Sequence, residues 1–139
     1  MTPSYGTGDT SYRAAGGSPG IYELVRRFYE SMDQLSEARA IRAMHAVDLT
    51  EVREKLAVFL VAWLGGPNEY RERFGPISIP GFHARFVIDE QARDAWLLCM
   101  ARAVDEQPWA KTFKTYFMQA IAVPAERVRV ASVMRGAGA

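Results

Sequence analysis

Ile21, Leu24, Val25, Phe28 and Met32 recur at the spacing of one helix face, with Glu23, Arg26, Arg27 and Glu30 on the positions between them. The pattern predicts an amphipathic helix that opens at Ser18-Pro19, an N-cap residue followed by the residue best tolerated in a first turn. Tyr29 lies beside its apolar stripe. A short second helix is expected from about Ser36 to Met44, with His45 at its end. Asp48 and Glu51 have capping-box spacing and open the strongest periodic segment, with Leu49, Val52, Leu56, Phe59, Leu60, Trp63 and Leu64 as its stripe. Gly65-Gly66-Pro67 stops that helix. A polar turn of helix fits from Asn68 to Phe74, and the two prolines and two glycines of Gly75 to Gly81 predict irregular backbone. A fourth main-chain helix is expected from near Asp89, burying Ala92, Ala95, Trp96, Cys99, Met100, Ala103 and Val104. A fifth is expected from Pro108 to Pro124, with Trp109, Phe113, Tyr116, Phe117, Ala120 and Ile121 on its apolar face.

The ends of the chain read differently. The first twenty residues are rich in Gly, Ser, Thr, Tyr and Ala and almost free of aliphatics, so they offer little burial against their ordering entropy. Residues 1–17 are expected to form a flexible leader, 18–130 the folded domain and 131–139 a flexible tail. The pattern contains no convincing strand and no repeat, which makes the domain all-α. A simple up-down bundle joins its helices by short loops, so the long irregular stretch ending at His83 calls for a reason.

Composition narrows the choice of partner. With 139 residues the chain is long enough for one core and one site. Its 17 basic and 16 acidic residues nearly cancel and form no block of one sign, which argues against nucleic acid and against a polybasic membrane patch. No apolar run reaches membrane-spanning length and the start lacks the pattern of a secretory signal, so a cytoplasmic location is expected. Cys99 is the only cysteine, and His45 and His83 are the only histidines. A metal held by protein side chains alone is therefore a poor fit, whereas a metal that arrives within a cofactor needs only one protein ligand.

Four side chains can carry such chemistry. His83 lies between Phe82 and Phe86 after backbone that cannot be regular helix. A histidine so placed either hydrogen-bonds solvent or a carbonyl, or offers a neutral nitrogen against an apolar wall, as an axial ligand of haem iron requires. Tyr29 and Trp96 are polar-tipped aromatics on the apolar sides of two helices; each donor is satisfied by a backbone carbonyl or by a ligand. His45 is either a helix-end histidine or a third donor. No phosphate loop, Gly-x-Gly-x-x-Gly, Cys-x-x-Cys or His-Glu-x-x-His occurs. Cys99, on an apolar face with Ala95 and Ala103, is expected to be an inert thiol.

Arg27-Phe28-Tyr29, the run Phe59 to Pro67 and the run Arg93 to Met100 together resemble the group II truncated haemoglobins, two-over-two helical globins, over roughly Ser18 to Val123. In that family the proximal histidine precedes the tryptophan by thirteen residues, the spacing of His83 and Trp96 here. The resemblance implies a two-over-two helical sandwich around a b-type haem, with His83 as the protein's ligand to iron. It implies that Tyr29 and Trp96 hydrogen-bond a ligand on the iron, and that His45 fills a position where the family also uses tyrosine or phenylalanine. Val52 and Leu56 would lie over the haem, with Phe28, Phe59 and Phe86 as further walls. The chain departs from the family in the loop before His83, where three arginines are missing. Lys55, Arg85 and Tyr70 are the substitutes for holding the propionates, with Lys55 first because it can snorkel past the haem edge.

O2, NO, CO or peroxide are the small ligands this resemblance implies. Several strong donors retain a bound ligand, which suits redox chemistry, either nitric oxide oxidation to nitrate or peroxide activation, better than release. Such turnover needs an external reductase, since the chain shows no flavin or nicotinamide site. O2 binding, storage or sensing without turnover is the alternative, and a haem-free helical interaction domain a third. A monomer or homodimer is expected.

Overall fold

Helix α2, Gly17–Gln34, lies at the centre of the packing. The computed structural model describes residues 4–45, 47–74 and 89–137. Ile21, Leu24, Val25, Phe28, Tyr29 and Met32 of α2 are buried, as its periodicity predicts. Its outer face carries Arg26, which pairs with Glu23 at 2.6 Å and Glu30 at 2.9 Å. Exposed pairs of this kind are screened by solvent and add little, so the buried stripe decides where the helix sits. Helix α1 is Thr10–Ala14; a 3-10 turn, Ser36–Ala38, leads into α3, Arg39–Ala43; α4 is Thr50–Trp63, α5 Tyr70–Phe74, α6 Glu90–Asp105 and α7 Lys111–Ala137. The described residues contain no strand. Helix α2 packs on α4 and on α6, and α6 packs on α7, giving two helix pairs laid over one another around one core.

Helix starts follow local chemistry, and those of α2 and α4 depart from expectation. Asp89 caps α6 as expected, accepting the Ala92 N–H at 2.8 Å. Asp48 forms no capping box with Glu51. Its carboxylate instead accepts the Thr50 N–H at 2.9 Å and the Thr50 hydroxyl at 2.6 Å, an Asx turn that sets the entry to α4. Ser18 is not the cap of α2: the helix begins at Gly17 behind Gly16 at φ 88°, and the Ser18 hydroxyl lies 2.8 Å from the Tyr12 hydroxyl.

That bond belongs to a larger correction at the N-terminus. Residues 4–16 dock against the domain rather than standing off it as a leader. Ser11 and Ala15 are buried, and the Tyr12 N–H donates to the Leu64 carbonyl at 2.9 Å. The Trp109 indole N–H donates to the Ala15 carbonyl at 3.0 Å, and the Tyr5 ring packs 5.2 Å from that of Phe113. The segment is held by backbone bonds, aromatic rings and small residues, which replace the aliphatic burial it lacks. Gly65 has a second role here besides ending α4: at φ 98°, a Cβ on it would stand 2.0 Å from the Gly8 carbonyl oxygen.

The C-terminal helix also departs from its expected bounds. It starts at Lys111 rather than Pro108, because Trp109 is committed to Ala15 and Gln107 is buried in the preceding turn. It runs through Pro124 to Ala137, where a helix end and a flexible tail from 131 are expected. Pro124 sacrifices the bond to the Ala120 carbonyl, yet Glu126 just beyond it pairs with Arg93 of α6 and with Arg129, tying the following turn down.

Candidate functional site

The apolar residues of α4 divide into two faces. Ala57, Leu60, Val61 and Leu64 are buried in the core. Val52, Leu56, Phe59 and Trp63, spaced by four, three and four, are only half-buried beside them. The single stripe read from the sequence thus merges a fully buried face with one that packs on the core but keeps part of its apolar surface uncovered.

Elsewhere in the domain the rings of Phe28, Tyr29, Trp96 and His45 meet. Phe28 packs 4.9 Å from Tyr29 and 5.0 Å from Trp96, and Tyr29 lies edge-on to His45 at 5.9 Å. Helix α2 supplies the first two, α6 supplies Trp96, and the turn after α3 supplies His45. Tyr29 is 4% exposed, and burial raises its pKa well above the usual phenol value, with Arg53 pulling weakly the other way. It therefore stays a neutral O–H donor at physiological pH. Neither the Tyr29 hydroxyl nor the Trp96 indole N–H is hydrogen-bonded among the described residues, where no fully enclosed side-chain polar atom is left without a partner. Both polar tips therefore keep access to open space. His45 is different, since its Nδ1 lies 2.8 Å from the Ile41 carbonyl oxygen. A carbonyl only accepts, so Nδ1 carries the hydrogen.

Lys55 and Tyr70 gather on Phe74. The Lys55 ammonium stands 5.6 Å from the Phe74 ring centre and 3.0 Å from the Glu51 carboxylate, and the Tyr70 ring lies 5.2 Å from Phe74. Phe74 was not singled out in the sequence, although its spacing of four from Tyr70 on a helical turn was the available signal. Arg73 also reaches this ring, at 5.2 Å, but is held by Glu54 at 2.8 Å. His83, Arg85 and Phe86 lie outside the described residues. Cys99 is fully buried, and its thiol pKa is pushed up to about 11 by burial, which disfavours the thiolate.

Residues 10–129 match the family model of the bacterial-like globins. The chain belongs to that family. A curated relative, the group 2 truncated hemoglobin YjbI of Bacillus subtilis (strain 168), is 35% identical to this globin over 85 residues. That alignment covers 61% of this chain and 62% of the relative, less than two thirds of its length. Among solved structures, the group II 2-on-2 hemoglobin of the plant pathogen Agrobacterium tumefaciens superposes with a TM-score of 0.81 and 35% identity, covering 86% of this chain and 92% of its own. The group II truncated hemoglobin of Bacillus anthracis gives a TM-score of 0.78 at 29% identity, covering 92% of each chain. The two-over-two fold expected from the sequence is thereby shown.

Membership in a globin family implies haem binding, and the side chains of this globin suit such a group. A porphyrin needs a flat apolar wall, which the half-buried strip of α4 offers, and an iron ligand gains from donors that are not already spent, which Tyr29 and Trp96 are not. No group of three or more His, Cys, Asp or Glu among the described residues is arranged to hold a bare metal ion. No described helix is long and apolar enough to cross a membrane.

Proposed function

We propose that this globin binds a b-type haem through His83, takes small ligands such as O2, NO, CO or peroxide, and performs redox chemistry on them with electrons from an external reductase. The observation that carries this reading is the pair of unspent donors, the Tyr29 hydroxyl and the Trp96 indole N–H, joined through Phe28. The haem supplies the coordination position and the exchange of electrons. The chain supplies everything else. Phe28, Val52, Leu56 and Phe59, with Phe86, exclude water. Tyr29 and Trp96 present preorganised donors where negative charge develops on the ligand, and in a dry pocket such bonds are worth more than in water. Lys55 leads the propionate partners, with Tyr70 beside it on Phe74 and Arg85 as the third; to serve, Lys55 must share its charge with Glu51.

In nitric oxide oxidation, NO, O2 and one electron give nitrate, so the reductase must deliver one electron per turnover. Donors that hold O2 while nitric oxide arrives serve that reaction and hinder a carrier, which must let go. Bonds to a charged acceptor are worth about 1.5–3 kcal/mol each. Tyr29→Phe and Trp96→Phe are therefore each expected to speed O2 release by about ten-fold or more, read by stopped flow, with nitrate formation or peroxide consumption falling in parallel. Rapid O2 release from the unaltered protein, with neither turnover, would support storage or sensing instead.

A further inference from the structure

We propose that the pocket is matched to a protic ligand of the hydrogen peroxide class, and that His45 is the base that receives the ligand's proton. The inference rests on the haem reading above and specifies its substrate. Three polar atoms are available in the ring cluster, and they differ in kind. The Trp96 indole N–H only donates; the Tyr29 hydroxyl donates or accepts. The sequence leaves His45 as either a helix-end histidine or a third donor, and its bond to the Ile41 carbonyl is that of a helix-end histidine, which leaves the other ring nitrogen to act as an acceptor. Its Nδ1–H is committed to the Ile41 carbonyl at 2.8 Å, so in the neutral ring Nε2 bears a lone pair and no hydrogen. That atom has no partner among the described residues.

O2, NO and CO carry no hydrogen and give this lone pair nothing to bind. Hydrogen peroxide does. One of its O–H bonds breaks, the proton passes to His45 Nε2, and the electron pair stays on oxygen as hydroperoxide anion, a stronger ligand for a ferric centre than the neutral acid. The imidazolium that results keeps its Nδ1–H on Ile41 and gains an Nε2–H, so the proton is held where it can be returned. The Ile41 carbonyl is the positioning group: it fixes the tautomer and the orientation of the ring. Tyr29, edge-on to His45 and kept neutral by burial, stays a donor beside this base and does not become a competing anion.

Cyanide tests the assignment, because at neutral pH it arrives as the protonated acid and must lose its proton to bind ferric haem as the anion. CO, which has no proton, is the control on the ferrous protein. In the haem-loaded full chain, His45→Phe and His45→Gln are both expected to slow cyanide association by about 100-fold, the scale of a lost general base. CO association should stay near that of the unaltered protein. Glutamine keeps a polar side chain of similar reach without the basicity, so it guards against a packing defect in the phenylalanine variant. Unchanged cyanide rates, or equal slowing of cyanide and CO, would overturn the proposal. So would a low-spin ferric spectrum before any ligand is added that is lost in His45→Phe, since it would put Nε2 on the iron. A wild-type chain that takes up no haem would fail at the Soret band before any of these rates is read, and would refute the haem reading itself.

Discussion

Tyr29 shows how burial sets chemistry at a single side chain. Its ring fills the core beside Phe28, and the cost of an anion there raises its pKa, so the folded protein holds this proton more tightly than the unfolded chain does. The linkage has a definite sign. Stability is unaffected below the unfolded tyrosine's ordinary pKa of 10.0 and is lost as pH rises above it, because only the unfolded state then releases the proton. Tyr29→Phe removes this loss: in urea titrations, the fall in stability above about pH 10 should be shallower than in the unaltered protein. An identical alkaline fall in both would mean that the phenol is solvated. The placement of Tyr29 and Trp96 against the core is legible in the sequence from helical spacing. The tautomer of His45 is not, because it depends on a backbone oxygen four residues away, whose direction no side-chain pattern encodes.

Among the elements, the buried stripe of α2, though not its cap, is legible in the sequence because every position of it meets protein. Helix α4 was read as one stripe where it has two faces, since periodicity reports that a face is apolar and says nothing of what covers it. The docking of the N-terminal segment is hidden in the sequence for another reason: its attachments are the Leu64 and Ala15 carbonyls and the Tyr5 and Tyr12 rings, none of which gives an aliphatic signal. Pro124 was a reasonable stop sign that tertiary ties through Glu126 override. Gly65→Ala tests the docking of that segment. A methyl group 2.0 Å from the Gly8 oxygen, on backbone at φ 98°, should displace residues 4–16 or strain the end of α4. The expected cost is about 1–3 kcal/mol in urea unfolding. A stability equal to that of the unaltered chain would mean that the segment does not dock on α4 in solution.

Across the whole molecule, helix order and the pairing of α2 with α4 and of α6 with α7 make one core, and the part of α4 not spent on that core is the part the proposed function uses. Under the proposed function, haem retention would fall to Lys55, Tyr70, Arg85 and the apolar walls, since the loop before His83 lacks the three arginines that the resemblance leads one to expect there. The most direct test of the account is the visible absorption spectrum of the purified protein, reduced and then exposed to CO, beside His83→Ala after haem reconstitution. The account predicts a Soret band that shifts with CO and a variant that loses the proximal-histidine signature; a wild-type chain that cannot take up haem, or a variant with an unaltered spectrum, would contradict it.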